Sequence, residues 1–122
     1  RVNLLMAVLE KRLGMQIGGC DAYVNIAGGI KITEPAIDLG IVLAIMSSFR
    51  NRPVPEGLIA FGEVGLSGEV RAVSMAEQRV REAAKLGFTE CILPQVCLEK
   101  LPEIKGIRLT GVRSVADAAN AW

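Results

Sequence analysis

A long apolar run that begins at Pro35 constrains this fold more than any other part of the sequence. The pattern predicts a helix from Pro35 to about Phe49, and apolar side chains occur on every face of it. Proline suits a first helical turn because its missing N–H has no helical partner there. The near-apolar stretch from Ala36 to Met46 contains Asp38 and is shorter than the roughly 20 residues that span a bilayer. We therefore expect this helix at the centre of a globular domain, covered on all sides by other elements.

Shorter elements are predicted on both sides of the central helix. Apolar periodicity predicts further helices at 2–13, 74–86, 96–101 and 114–122. Alternating or continuous apolar runs predict strands at 22–27, 58–61, 91–93 and 107–109, and a strand or an extended segment at 30–33. A glycine-punctuated strand–turn–strand is predicted at 62–73. Since the early strands favour antiparallel pairing, the sequence predicts an α+β fold with a mixed β-sheet and packed helices.

Composition excludes several kinds of site. The 122 residues suffice for one domain whose core needs no disulfide or metal. With no histidine, the chain cannot use Ser–His or Cys–His catalysis. Cys20, Cys91 and Cys97 lack the spacing of a zinc site, so we expect buried or neutral free thiols in a reducing cytoplasm and no bound metal. The net charge of +1 does not indicate a nucleic-acid binder, although a ring of subunits can repeat a small basic patch.

Polar residues and glycines near the predicted helices allow structural and chemical interpretations. Ser74 and Glu77 predict an S-x-x-E capping box, and Ser114, with Asp117 three residues later, predicts a cap for the last helix. Glu34 and Asp38 lie one helical turn apart, which fits a metal or acid–base site, a basic partner or a solvated surface, and we favour the last. The glycines at 62, 65 and 68 lack the following lysine of a phosphate loop, so turn geometry and close packing explain them.

Two stretches of the sequence are similar to known active-site segments. I-K-I-T-E-P-A-I-D (30–38) and F-G-E-V-G-L-S-G-E-V-R (61–71) resemble those of the Lon-type serine–lysine peptidase domain. The resemblance puts Ala36 at the position of the nucleophilic serine and Glu77 at that of the catalytic lysine. A methyl group cannot attack a carbonyl, and a carboxylate cannot activate a serine as a lysine does. We therefore expect a vacated catalytic site and no peptidase activity.

Further segments narrow the resemblance. Those at 21–34, 47–53, 82–88 and 92–94 are similar to the C-terminal domain of the RadA-type (Sms) family of bacterial DNA repair proteins, which likewise lacks the serine and the lysine. The resemblance implies one Lon-type peptidase-like domain over 1–122, the C-terminal part of a larger cytoplasmic protein. It also implies a zinc motif and a RecA-like ATPase upstream, so ATP, Mg and Zn would bind there and this domain would hold no cofactor. The resemblance implies three kinds of partner. Copies of the same chain would form a ring, which we expect to be a hexamer. The other two partners would be branched DNA recombination intermediates and recombinase proteins.

Basic residues are the candidates for the DNA contact that the resemblance implies. They are Lys31, Arg50, Arg52, Arg71 and Arg79, with Arg81 as a further candidate. Because no aromatic residues interleave with them, contact with duplex phosphates fits better than stacking on single-stranded bases. Ordinary solvated charge, or ion pairs between subunits, is the alternative.

Two other functions stay open at this point. One is an active Lon-type serine peptidase with a relocated nucleophile, for which Ser67, Ser74 and Cys20 are candidates and Lys31 the lysine in a plausible segment. The other is a purely structural oligomerisation domain.

Overall fold

The computed structural model of the protein describes residues 2–13 and 34–122. Its helices are α1 (Val2–Leu13), α2 (Asp38–Arg50), preceded by a 3-10 turn (Pro35–Ile37), α3 (Ala76–Lys85), α4 (Gln95–Leu98) and α5 (Val115–Ala119). Its strands are β1 (Leu58–Ala60), β2 (Glu63–Val64), β3 (Val70–Arg71), β4 (Glu90–Pro94) and β5 (Arg108–Val112). The strands predicted at 22–27 and 30–33 lie outside the described residues.

Two sheets are formed within the described ranges. The larger one has the order β1-β4-β5 and is parallel, with Leu58 opposite Glu90 and Glu90 opposite Arg108. Parallel neighbours need a crossover, and α3 lies between β1 and β4 in the chain while α4 lies between β4 and β5. The smaller sheet is the antiparallel pair β2–β3. This mixed α/β architecture agrees with the predicted α+β class. The larger sheet among the described residues is parallel. The early strands, for which antiparallel pairing was expected, begin outside the described residues.

Helix α2 is the centre of the domain, as its apolar pattern predicts. Leu39, Val42, Ile45 and Met46 on it have no exposed surface. They share one apolar cluster with α1, β2, β3 and α5. A second cluster lies under α3, where Val80 is fully buried among residues of β4 and the segment that follows it. The buried apolar residues of α2 all belong to the first cluster, so that cluster holds the central helix in place.

The two predicted helix caps had different outcomes. Ser114 caps α5, because its side chain accepts a hydrogen bond from the backbone N–H of Asp117 at 3.2 Å. The capping box predicted for Ser74 and Glu77 is wrong: the residue before α3 is Met75, in the left-handed region at φ 62°, and no side chain caps the helix. A capping side chain works from extended backbone directly before the first turn, and Ser74 stands one residue too early for that.

Candidate functional site

An open cleft of about 970 Å³ lies between α2, β1 and α3. Small and apolar side chains form most of its walls, among them Ala36 from the 3-10 turn, Gly40 and Ala44 from α2, and Ile59 and Phe61 from the strand region. The small residues recur every four positions along α2 and the turn before it, so they lie on one face of the helix. Because their side chains are short, they leave open space beside that face. The cleft thus owes its depth to the sequence of the central helix.

Ala36, at the expected nucleophile position, lies in the wall of this cleft and is buried. Its carbonyl oxygen accepts a hydrogen bond from the N–H of Gly62 at 2.9 Å, and the N–H of Leu39 donates to the carbonyl of Gly62 at 3.0 Å. Gly62 has φ 154°, and an added Cβ would lie 3.1 Å from Val70 and 3.2 Å from Pro94. The backbone at Ala36 is therefore tied tightly to the end of β1, but the side chain there is a methyl group with no chemistry to offer.

Glu77, at the expected lysine position, lies on the surface of α3. Its carboxylate pairs with Arg81 one turn later, at 2.9 Å, and both side chains are half exposed. It is not among the residues that line the cleft. Ser67 and Ser74, two of the candidates for a relocated nucleophile, are exposed and do not line the cleft either.

The acidic pair expected on a solvated surface divides into two different environments. Asp38 has no exposed surface, and its Oδ2 accepts a hydrogen bond from the backbone N–H of Val64 at 3.0 Å. The expectation of a solvated surface is therefore wrong for Asp38, because β2 brings a backbone donor to it from 26 residues away. Glu34 is exposed and pairs with Arg79 at 3.0 Å. Within the described ranges, no group of three histidine, cysteine or acidic residues could hold a metal ion.

Arg79, a candidate for DNA contact, lies at the cleft with three partners. Its Nη2 is 3.0 Å from Glu34, its Nε donates to the carbonyl of Ser74 at 3.0 Å, and its guanidinium carbon lies 6.0 Å from the centre of the Phe61 ring. Much of its donor capacity is thus used within the domain.

Arg71, another candidate, is also paired. Its Nη2 lies 3.2 Å from Glu69 and it stands opposite Glu63 in the β2–β3 ladder. Hydrogen bonds from the backbone N–H of Glu69 itself, and then from Arg71, lower the pKa of Glu69. Acidic neighbours therefore offset the positive charge at this strand end.

Arg50 and Arg52 both contact the ring of Trp122, a residue that the sequence analysis did not name as a candidate. Both guanidinium carbons lie 5.9 Å from the ring centre of Trp122. The Nη1 of Arg50 also donates to the carbonyl oxygen of Ala119 at 2.9 Å. The contact joins residues about 70 positions apart, so no local pattern could indicate it. Lys31, the remaining candidate, lies outside the described residues.

The cysteines within the described ranges are buried and free. Burial raises the pKa of the Cys91 thiol to about 12, so this thiol is neutral at physiological pH. Cys97 is buried beside the carbonyl oxygen of Val73. The prediction of buried thiols is confirmed for these two, while Cys20 lies outside the described residues.

Comparison with known proteins gives one family and a consistent set of relatives. The family described as subunit ChlI of Mg-chelatase matches residues 5–96. Proteins named DNA repair protein RadA are 56% identical over 118 residues in Bacillus subtilis, 47% over 121 in Streptococcus pyogenes and 43% over 122 in Salmonella typhimurium. These matches cover 97%, 99% and 100% of this chain but 26%, 27% and 26% of the relatives. The chain thus spans about a quarter of the length of the curated relatives it matches.

None of the helices in the described part of the chain is long and apolar enough to cross a lipid bilayer.

Proposed function

We propose that this chain forms a non-catalytic domain of a RadA-type DNA repair protein, because it belongs to the family described as subunit ChlI of Mg-chelatase and its relatives are proteins named RadA. The family description names a chelatase subunit, whereas the relatives above are DNA repair proteins at 43–56% identity, so the repair role is the one carried over. The domain's share of that role is contact with DNA and assembly of a ring of subunits.

One observation carries the non-catalytic part of the proposal. Ala36 lies in the wall of the cleft with only a methyl group, while Glu77 is engaged with Arg81 on the surface and is not in that wall. A serine–lysine mechanism needs a nucleophile and a base within hydrogen-bond reach of each other. The cleft therefore has the shape of a site without the reacting groups.

The whole protein is proposed to be a DNA-dependent ATPase that processes branched recombination intermediates as a hexameric ring in the cytoplasm. ATP, Mg and Zn would bind to domains outside this chain, and recombinase proteins are proposed as further partners. The likeness of the domain to Lon-type peptidases, with the dyad replaced, is part of the same proposal.

DNA contact is tested by anisotropy titrations of a labelled duplex with the 122-residue chain at increasing salt. We expect binding that weakens steeply with salt, since phosphate contacts release counterions. Absence of binding, or binding that salt does not weaken, would contradict the proposed DNA contact.

The other two parts have their own measurements. Sedimentation velocity of the chain over a range of concentrations tests assembly, and a strict monomer at high concentration would mean that this domain does not hold a ring together. A fluorogenic peptide assay tests the absence of catalysis, with Ser67→Ala and Ser74→Ala as the matched variants. Turnover that one of these variants abolishes would contradict a non-catalytic domain.

A further inference from the structure

The arginines of this domain fall into two groups according to their partners. One group is paired with carboxylates, as Arg71–Glu69, Arg79–Glu34, Arg81–Glu77, Arg108–Glu90 and Arg113–Glu99. Arg12, Arg50 and Arg52 form the other group, because none of them has an ion pair with a residue in the described ranges, and of these three only Arg50 and Arg52 are candidates for DNA contact. A charge without a nearby carboxylate keeps its full attraction for an incoming anion. The structure thus separates the candidates that the sequence could only name together.

A short turn brings the two guanidinium groups to the same place. Arg50 is the last residue of α2, and Asn51 ends the helix in the left-handed region at φ 52°. The backbone of Arg52 is then fixed to Ser47, whose carbonyl accepts its N–H at 3.0 Å and whose hydroxyl donates to its carbonyl at 2.6 Å. The turn is therefore held rigidly, and both side chains extend from it onto the indole of Trp122.

Trp122 supplies a surface that orders both arginines. It packs partly against the main apolar cluster, and both guanidinium carbons lie 5.9 Å from its ring centre, hence within twice that distance of each other. The indole Nε1 is buried and has no hydrogen-bond partner among the described residues, so the ring contributes its face rather than its N–H. Cation–π contact restricts the arginine side chains while leaving most of their N–H donors free.

We propose that Arg50, Arg52 and Trp122, here called the arginine–tryptophan cluster, are the contact of this domain with the phosphate backbone of duplex DNA. This inference rests on the proposed DNA contact and specifies where it occurs. Arginine presents a planar fork of donors that matches a phosphate, and two ordered forks held by one ring can each bind a phosphate of the same duplex. Trp122 acts as a positioning residue. Its ring is covered by the two guanidinium groups, so a base cannot stack on it without displacing them.

The charge test uses single substitutions with matched controls. Arg50→Gln and Arg52→Gln each remove one charge from the cluster, while Arg71→Gln and Arg81→Gln each remove one charge that a carboxylate already offsets. Affinity for a labelled duplex is measured for all four between about 50 and 200 mM salt. Each cluster variant is expected to reduce the slope of log K against log salt by about 0.9, the value of one phosphate contact, and the controls by much less.

The positioning role has a separate readout. The sequence contains one tryptophan, so tryptophan fluorescence reports on the cluster directly, and saturating duplex is expected to change it. Trp122→Phe keeps an aromatic face and is expected to bind the duplex nearly as well as the unmodified chain. Trp122→Leu keeps apolar bulk without that face and is expected to bind several-fold more weakly at the same salt slope, because the charges remain but are less ordered.

The outcomes distinguish this inference from the proposed function. If the unmodified chain does not bind the duplex, the DNA contact itself is refuted. If it binds and Arg50→Gln and Arg52→Gln behave like the two controls, or if saturating duplex leaves the fluorescence of Trp122 unchanged, the contact exists but the cluster is not its location. Equal affinities of Trp122→Phe and Trp122→Leu would refute the positioning role alone.

Discussion

Asp38 offers the sharpest test of how the start of α2 is held in place. Its side chain has no exposed surface, and its Oδ2 accepts the backbone N–H of Val64 at 3.0 Å. This bond ties the first turn of α2 to β2, two residues after the buried Ala36. We predict that Asp38→Ala destabilises the domain, because it leaves the Val64 N–H buried without that acceptor.

The magnitude follows from the two groups that lose contacts. A buried N–H deprived of its acceptor costs about 1–3 kcal/mol. The space left by the carboxylate adds about 0.5 kcal/mol at roughly 24 cal/mol per Å³. Removing a buried carboxylate also relieves some desolvation, which offsets part of this loss. The expected decrease in the free energy of unfolding is about 2 kcal/mol, a large share of the 5–15 kcal/mol typical of a domain.

Urea unfolding followed by far-ultraviolet circular dichroism measures this change, with the m-value expected to stay constant. Asp38→Asn is the matched control, because its amide oxygen can still accept the Val64 N–H, and we expect it to cost less than half as much. A decrease below about 0.5 kcal/mol for Asp38→Ala would refute the reasoning, since a buried donor cannot lose its acceptor at so little cost. If the asparagine variant were as unstable as the alanine variant, charge rather than the acceptor oxygen would be the cause.

Four further predictions concern other positions. Because the folded-state pKa of Glu69 is lowered from 4.5, the stabilisation that its carboxylate contributes is present above pH 4.5 and is lost as the pH falls through the folded-state pKa. Acid unfolding curves of the unmodified chain should show this loss, and those of Glu69→Gln should lack it. Cys91, with a pKa raised to about 12, should resist alkylation at pH 8 until urea unfolds the domain, as peptide mapping by mass spectrometry would measure; rapid labelling of the native chain would contradict its burial. Gly87→Ala should cost about 1–2 kcal/mol of unfolding free energy through strain alone, because Gly87 has φ 96° with open space around it. Gly40→Ala should instead stabilise helix α2 by about 0.5–1 kcal/mol, since its Cβ would make an ordinary 3.6 Å contact with the Ala60 carbonyl; the same sign for both variants would refute this argument.

Features determined by nearby residues could be predicted from the sequence. The burial of α2 follows from apolar residues on all its faces, and Ser114 caps α5 because the cap and the N–H it bonds are three residues apart. The predicted strand–turn–strand after residue 61 is the β2–β3 pair. In each case the deciding interaction lies within one turn of helix or one hairpin, which is the range that periodicity and capping rules describe.

Features determined by distant residues could not be predicted. Asp38 was expected on a surface because nothing near it in the sequence indicates that β2 supplies its hydrogen-bond donor. The contact of Arg50 and Arg52 with the ring of Trp122 was not predicted, since Trp122 is about 70 residues away. One wrong prediction has a local cause instead. The capping box at Ser74 does not form because Met75 takes a left-handed conformation that its residue type does not favour.

The cleft and the arginine–tryptophan cluster lie at opposite ends of the same helix. Ala36 stands just before α2 and Arg50 is its last residue, so at 1.5 Å per residue the two positions are about 20 Å apart. That separation is about two Debye lengths at physiological salt, so charges at one end are largely screened from the other. The DNA contact proposed at Arg50 therefore does not depend on the charges near Ala36. The proposed contact does require the rigid central helix, because burial of α2 fixes the turn that directs both arginines onto Trp122.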